Sequence, residues 1–174
     1  MKRIFLDSSV LIAAVGSKSG ASARILTYCR KQIIKGYVSK YVITESRRNL
    51  EKKFNEKHKQ RFHTLILRSN IVVIDDFSVA TEKPYREVIS SKDSPILAAA
   101  HILKVDHLIT HNTKDFMKQD VRNRIYPIQV LTPKKFVHLV EKQMSRKSRN
   151  VASWIGNKSI IYCHYEEQSD EVIS

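Results

Sequence analysis

The chain has 174 residues, 42% hydrophobic and 28% charged, enough apolar material for a packed core and too much for wholesale disorder. Four Gly and four Pro exclude collagen-like and low-complexity chains, and two cysteines, Cys29 and Cys163, exclude a disulfide framework and point to a reducing compartment. The 31 Lys and Arg against 17 Asp and Glu leave a net charge of +14 at pH 7, which draws polyanions: nucleic acid first, then acidic proteins or anionic membrane surfaces.

The first element predicted is a buried strand, Arg3-Ile4-Phe5-Leu6, which stops at Asp7-Ser8-Ser9. Met1-Lys2-Arg3, the apolar residues to Val15 and Ala21-Ser22-Ala23 imitate the three regions of a secretory signal. Asp7 lies inside the would-be apolar region, where a carboxylate at a helix centre costs about 2.5–3.5 kcal/mol. The unbroken apolar run from Val10 to Val15 is far short of a membrane span. A strand followed by a helix explains the same residues, and the expected location is cytoplasmic, with no membrane association. A helix is predicted over Ser22–Lys35, with Ile25, Leu26, Ile33 and Ile34 on one face and Gly36 just past its end. Tyr37-Val38 reads as a short strand, and Ser39 as the N-cap of a helix carrying Val42, Ile43, Leu50 and Phe54. A further helix covers Gln60–Arg68. Strand Ile71–Ile74 ends at Asp75-Asp76, an apolar helix runs from Pro95 to Lys104, and strands follow at His107–Thr110 and Ile128–Leu131. Pro133 opens a last helix through Val140. This alternation implies a parallel sheet covered on both faces, an α/β sandwich.

Charge is unevenly spread. Lys18 to Arg68 holds 14 Lys and Arg against Glu45, Glu51 and Glu56, which is most of the surplus and forms a surface able to track phosphates. Beyond Met144 the composition changes to a basic, then mixed, then acidic stretch ending in Glu166–Glu171. The expected organisation is one domain over 1–143 and a tail over 144–174.

Ligands of open α/β sheets bind at the carboxyl ends of the strands, near a topological switch point. Asp7 and Thr110 stand at two such ends, Thr110 leading into His111-Asn112-Thr113-Lys114-Asp115, and Asp93 stands just before the apolar helix. Glu45 lies inside an otherwise basic helix. If Asp7, Glu45, Asp93 and Asp115 converge, their repulsion demands a cation, and hard divalent ions with oxygen ligands supply it. Each also has an ordinary reading. Asp7 satisfies loop amides, Asp93 caps the helix in which Pro95 occupies the first turn, Glu45 pairs with Arg48 or Lys52, and Asp115 is a turn residue.

Ile4-Phe5-Leu6-Asp7-Ser8-Ser9-Val10-Leu11-Ile12 with Gly20–Leu26, Ser39–Leu50 around Glu45, Lys92–Ala100 and Leu108–Phe116 resemble, in order, the four motifs of PIN-domain nucleases. The resemblance covers about residues 3 to 140 and is nearest to the bacterial toxins of toxin–antitoxin pairs (VapC-like). It implies a three-layer α/β/α sandwich and metal-dependent cleavage of RNA phosphodiesters, often by a homodimer. Asp7, Glu45, Asp93 and Asp115 would be the catalytic acids binding Mg²⁺ or Mn²⁺, and Ser8, Thr110 and Asn112 the supporting groups. An RNA substrate and an antitoxin protein would be its partners. The chain departs from the pattern at Ser9, where asparagine is common, and at Ser90-Ser91, where many relatives carry an acid. A third departure is Asn112, where many carry aspartate. Three other roles compete: a housekeeping RNA- or DNA-processing nuclease, a catalytically silent nucleic-acid-binding domain, and a phosphate-transfer receiver domain. His111 reads as a proton shuttle or as an exposed loop histidine.

Overall fold

The computed structural model describes residues 1–146, and the tail readings beyond them, including Glu166–Glu171 and Cys163, lie outside the described residues. The first of its two units, Met1–Val137, carries the whole sheet. Of the second unit, His138–Ser174, the described residues 138–146 are helical. Among the described residues no helix is long and apolar enough to cross a membrane.

Five parallel strands, β1 (Lys2–Leu6), β2 (Ile34–Ser39), β3 (Val72–Ile74), β4 (His107–Ile109) and β5 (Gln129–Leu131), lie in the order β3-β2-β1-β4-β5. The chain therefore winds outward from β1 to β3, crosses back and winds the other way through β4 and β5. With right-handed crossovers, α1 (Ser8–Gly16), α2 (Ala21–Arg30), α3 (Lys40–Lys53) and α4 (Glu56–Arg68) fall on one face. The four that follow fall on the other: α5 (Val79–Glu82), α6 (Ser94–Ile102), α7 (Thr113–Phe116) and α8 (Gln119–Arg124). The contacts agree, α1 packing on α2, α3 and α4 while α5 meets α6 and α7 meets α8. This is the three-layer α/β/α sandwich. Covered on both faces, its central strands are apolar without alternation: Ile4, Phe5, Leu6, Leu108 and Ile109 are fully buried. Ala98, Ala99 and Ala100 are buried too, and their small side chains let α6 lie close against β1.

The predicted helix over 22–35 is corrected. It ends at Arg30, and Ile34 and Lys35 belong to β2. The stop is a Schellman turn, in which Ile33 N–H donates to Tyr28 O (3.0 Å) and Gln32 N–H to Cys29 O (2.9 Å). Gln32 takes the left-handed position at φ 55° that glycine usually fills. With a glutamine there, the expected signal is missing, and Gly36 was the next glycine along. Gly36 serves packing instead: a Cβ on it would stand 2.7 Å from Cys29 Sγ. Helix α4 starts a turn before the predicted Gln60, because Asn55 accepts the His58 N–H and caps it. Ser39 caps α3 as expected, accepting the Val42 N–H.

Candidate active site

Parallel pairing sets the site. Leu6 of β1 is in register with Ile109 of β4, so Asp7 and Thr110 emerge side by side at the carboxyl edge, where the winding direction reverses. Asp7 is buried at 4% exposure, and three hydroxyls surround its carboxylate. Thr110 Oγ1 and Ser9 Oγ each donate to Oδ2 at 2.6 Å, and Ser8 Oγ donates to Oδ1 at 3.2 Å. Thr110 Oγ1 also accepts the Asn112 N–H at 2.9 Å, and Ser9 Oγ accepts the His111 N–H at 3.0 Å. Among the described residues the Asp7 side chain thus satisfies no loop amide. The loop amides bind the hydroxyls, and the hydroxyls aim at Asp7.

Asp7 and Asp93 occupy the N-cap positions of α1 and α6, yet neither side chain caps its helix. Aspartate there ordinarily accepts an amide of the first turn. Asp93 instead accepts from Ser90 Oγ at 2.7 Å, so the predicted capping role of Asp93 is corrected. Both carboxylates lie at the positive ends of nine-residue helices, which offsets part of their repulsion. Burial pushes the Asp93 carboxyl above its usual range; the Ser90 hydroxyl opposes this, and the charges of Asp7 and Asp115 push the same way as burial. Asp93 is therefore the acid that feels both of its neighbours.

Asp115 lies in the first turn of α7, which Asn112 caps by accepting the Asp115 N–H. Its carboxylate meets Lys118 Nζ at 3.1 Å and Asn112 Nδ2 at 3.1 Å, and the lysine, then the amide, hold its carboxyl below the usual range. Glu45 is mostly buried, its side chain 13% exposed, and pairs with Lys92 Nζ at 3.0 Å. Its predicted partners Arg48 and Lys52 are not the ones it takes. His111 is exposed, as its loop position implies, with Nε2 3.1 Å from Ser22 Oγ.

All four acids are on the carboxyl side of the sheet, but the arrangement is not a closed cage. Among the described residues no three His, Cys, Asp or Glu side chains form a group that could hold a metal ion as they stand. Lysine ammoniums occupy the outer two acids, while among the described residues the donors at the Asp7 and Asp93 carboxylates are hydroxyls. The donor chemistry is nevertheless that of a hard divalent ion: carboxylate oxygens on rigid helix starts, ringed by hydroxyls. Sequence reasoning missed three contributors. Ser9, met only as a departure from the motif, bridges Asp7 to the His111 backbone. Lys92 neutralises Glu45. Tyr41 ties α3 to the segment before α6 through its hydroxyl, which donates to Lys92 O at 2.9 Å. No sequence signal marks such partners, because each is chosen by a neighbour far along the chain.

The PIN domain family model matches residues 3–114. No curated protein matches the chain. Among solved structures, it is similar to VapBC2 of Rickettsia felis bound to a promoter DNA fragment, at 20% identity and TM-score 0.55, covering 75% of this chain and 98% of that one. A toxin–antitoxin complex of Klebsiella pneumoniae is similar at 21% identity and TM-score 0.54, with 75% and 97% covered. VapBC-1 of nontypeable Haemophilus influenzae follows the same fold at 19% identity and TM-score 0.52, with 76% and 98% covered.

Proposed function

The chain belongs to the PIN domain family, and on that premise we propose that it is a Mg²⁺- or Mn²⁺-dependent endoribonuclease, the toxin of a toxin–antitoxin pair. The observation that carries the reading is the pair Asp7 and Asp93. Two N-cap aspartates turn away from their own helices at the switch point of the sheet, beside the most basic part of the chain. The similar structures of toxin–antitoxin complexes support the partner, an antitoxin chain whose acidic segment would compete with RNA for the basic surface.

Asp7, Asp93 and Glu45 would hold the divalent ion, with Asp115 on its far side. When bound, such an ion acidifies a water and neutralises charge developing on the phosphate oxygens. The residues do the rest. Thr110, Ser8 and Ser9 fix the orientation of the Asp7 carboxylate, and the N-termini of α1 and α6 favour the negative charge of the acids. Lys92 and Lys118 neutralise Glu45 and Asp115 until a cation takes their place. The Lys and Arg between Lys18 and Arg68 hold the RNA backbone without reading its sequence.

Cleavage of labelled RNA is expected with added Mg²⁺ or Mn²⁺, none with chelator, and none from Asp7→Asn that folds normally by circular dichroism. Cleavage at the wild-type rate by that variant would overturn the mechanism. A second reading, a binding domain without catalysis, is favoured by the lysines already seated on Glu45 and Asp115. It requires RNA binding with no metal-dependent cleavage.

A further inference from the structure

A groove of about 520 Å³ runs along α3 past Glu45, with Asp76 and Lys92 also in its wall. Tyr41, Glu45, Arg48 and Lys52, all in its wall, recur at helical spacing and form one stripe about 16 Å long. The stripe changes character as it leaves the acids. The groove's two carboxylates, Glu45 and Asp76, are engaged, the first by Lys92 at 3.0 Å and the second by the Tyr41 N–H at 2.7 Å. Arg48 and Lys52 are exposed and, among the described residues, have no hydrogen-bond or ion-pair partner. Tyr41 is held at both ends, its amide on Asp76 and its hydroxyl on Lys92 O. The result is a fixed aromatic ring one turn before Glu45 and, one and two turns after it, two cations without a partner among the described residues, so that the acid lies between the ring and the cations.

We propose that this groove holds single-stranded RNA next to the cleavage point, one unpaired base on the Tyr41 ring and the backbone phosphates on Arg48 and Lys52. The inference rests on the nuclease reading above and deepens it by giving the substrate strand its path. A strand brought to the acids must enter and leave along the surface, and this groove passes Glu45 on both sides, with Tyr41 before it and Arg48 and Lys52 after it. Stacking on an aromatic side chain with cations along the backbone suits single strands of any sequence, since every base has a flat face. It does not suit a duplex, whose bases are already stacked.

The test is fluorescence anisotropy with a labelled single-stranded oligoribonucleotide over a salt series, without added divalent ion, on the full chain. Arg48→Ala/Lys52→Ala is compared with Arg30→Ala/Lys31→Ala, which removes the same charges from the end of α2, where the chain enters the opposite edge of the sheet. The groove variant is expected to bind about tenfold more weakly than this control at low salt, with the gap closing as salt rises. Loss of two phosphate contacts lowers the steepness of log affinity against log salt by about 1.4 for a single strand. Tyr41→Ala is expected to weaken binding about tenfold at all salt concentrations, with Tyr41→Phe near wild type. Equal affinity of the two double variants overturns the inference. So does an equal loss on duplex RNA, or a loss seen only with a Glu/Asp-rich peptide, which would make the groove a protein-docking surface. Wild-type protein that cleaves RNA while the groove variants bind normally removes the groove and leaves the nuclease. Wild-type protein that neither binds nor cleaves RNA removes both.

Discussion

The Thr110 hydroxyl donates a 2.6 Å hydrogen bond to Asp7 Oδ2 across 103 residues of sequence, at the adjoining ends of β4 and β1. The same oxygen accepts the Asn112 N–H, so its rotor is fixed and its proton has one direction to point. The Asp7 carboxylate is oriented by the sheet itself.

Thr110→Val keeps the shape and removes that donor. RNA cleavage is expected to fall about 10–100-fold, the usual effect of deleting a group that orients a metal-binding carboxylate. The Asn112 N–H also loses its acceptor, at a cost of about 1–3 kcal/mol. Thr110→Ser should recover most of the rate, measured as initial cleavage at saturating Mg²⁺. A Val variant as active as wild type would show that the hydroxyl orients nothing needed for cleavage.

The acids should not be equivalent. Asp7 is buried under three hydroxyls, whereas Asp115 has a side chain 35% exposed and already paired with Lys118. Asp115→Asn keeps the bond to Asn112 within reach and removes one repelling charge near Asp93. Its loss of cleavage is expected to be at least tenfold smaller than that of Asp7→Asn, compared under identical Mg²⁺ concentrations. Equal losses would place Asp115 at the centre of the site.

Gly36 is a packing requirement. An added Cβ meets Cys29 Sγ, buried on α2, at 2.7 Å and Ile71 Cγ2, just before β3, at 3.0 Å. Gly36→Ala is expected to lower stability by about 1–3 kcal/mol, read from urea midpoints. Adding Cys29→Ala removes the nearer clash, so the double variant should be more stable than the sum of the single effects. The Cys29 thiol, pushed up to about 12 by burial, should resist alkylation until the protein unfolds.

His107 gives a pH dependence of known sign. It is 4% exposed, packs edge-on against Phe136, and among the described residues neither ring nitrogen has a hydrogen-bond partner. Burial first, then the charge of Lys2, lowers its pKa from 6.5, while Asp106 pulls weakly the other way. The unfolded chain therefore binds the proton more readily. The stability this neutral imidazole allows is fully present above about pH 6.5 and is lost as pH falls through the depressed folded value. His107→Leu should flatten this part of the stability curve in urea titrations between pH 7 and 5. An unchanged curve would mean that other groups carry the slope.

The α/β alternation and the carboxyl ends of the strands are legible in the sequence, because short apolar runs, caps such as Ser39 and the order of the motifs are local features. Helix α2 was misread where a local rule was broken by a local exception: Gln32 takes the left-handed turn position without being glycine. At Asp93 the ordinary reading holds for the position and not for the side chain. Its N-cap position is as predicted, but its carboxylate accepts from Ser90 Oγ and from no amide of the helix it precedes.

What the sequence determined by itself is therefore the kind of sheet, the surplus of positive charge and the list of acids, each written in neighbouring residues. The tertiary structure alone decided the long-range partners, Thr110 for Asp7 and Lys92 for Glu45. Glu45 chooses Lys92 over Arg48 and Lys52, although those two lie on its own helix, because the segment before α6 brings the ammonium to 3.0 Å. That choice leaves Arg48 and Lys52 without a partner among the described residues along the groove. The physical reason is one of range: backbone preference acts over a few residues, while a carboxylate responds to whatever charge the completed fold brings nearest.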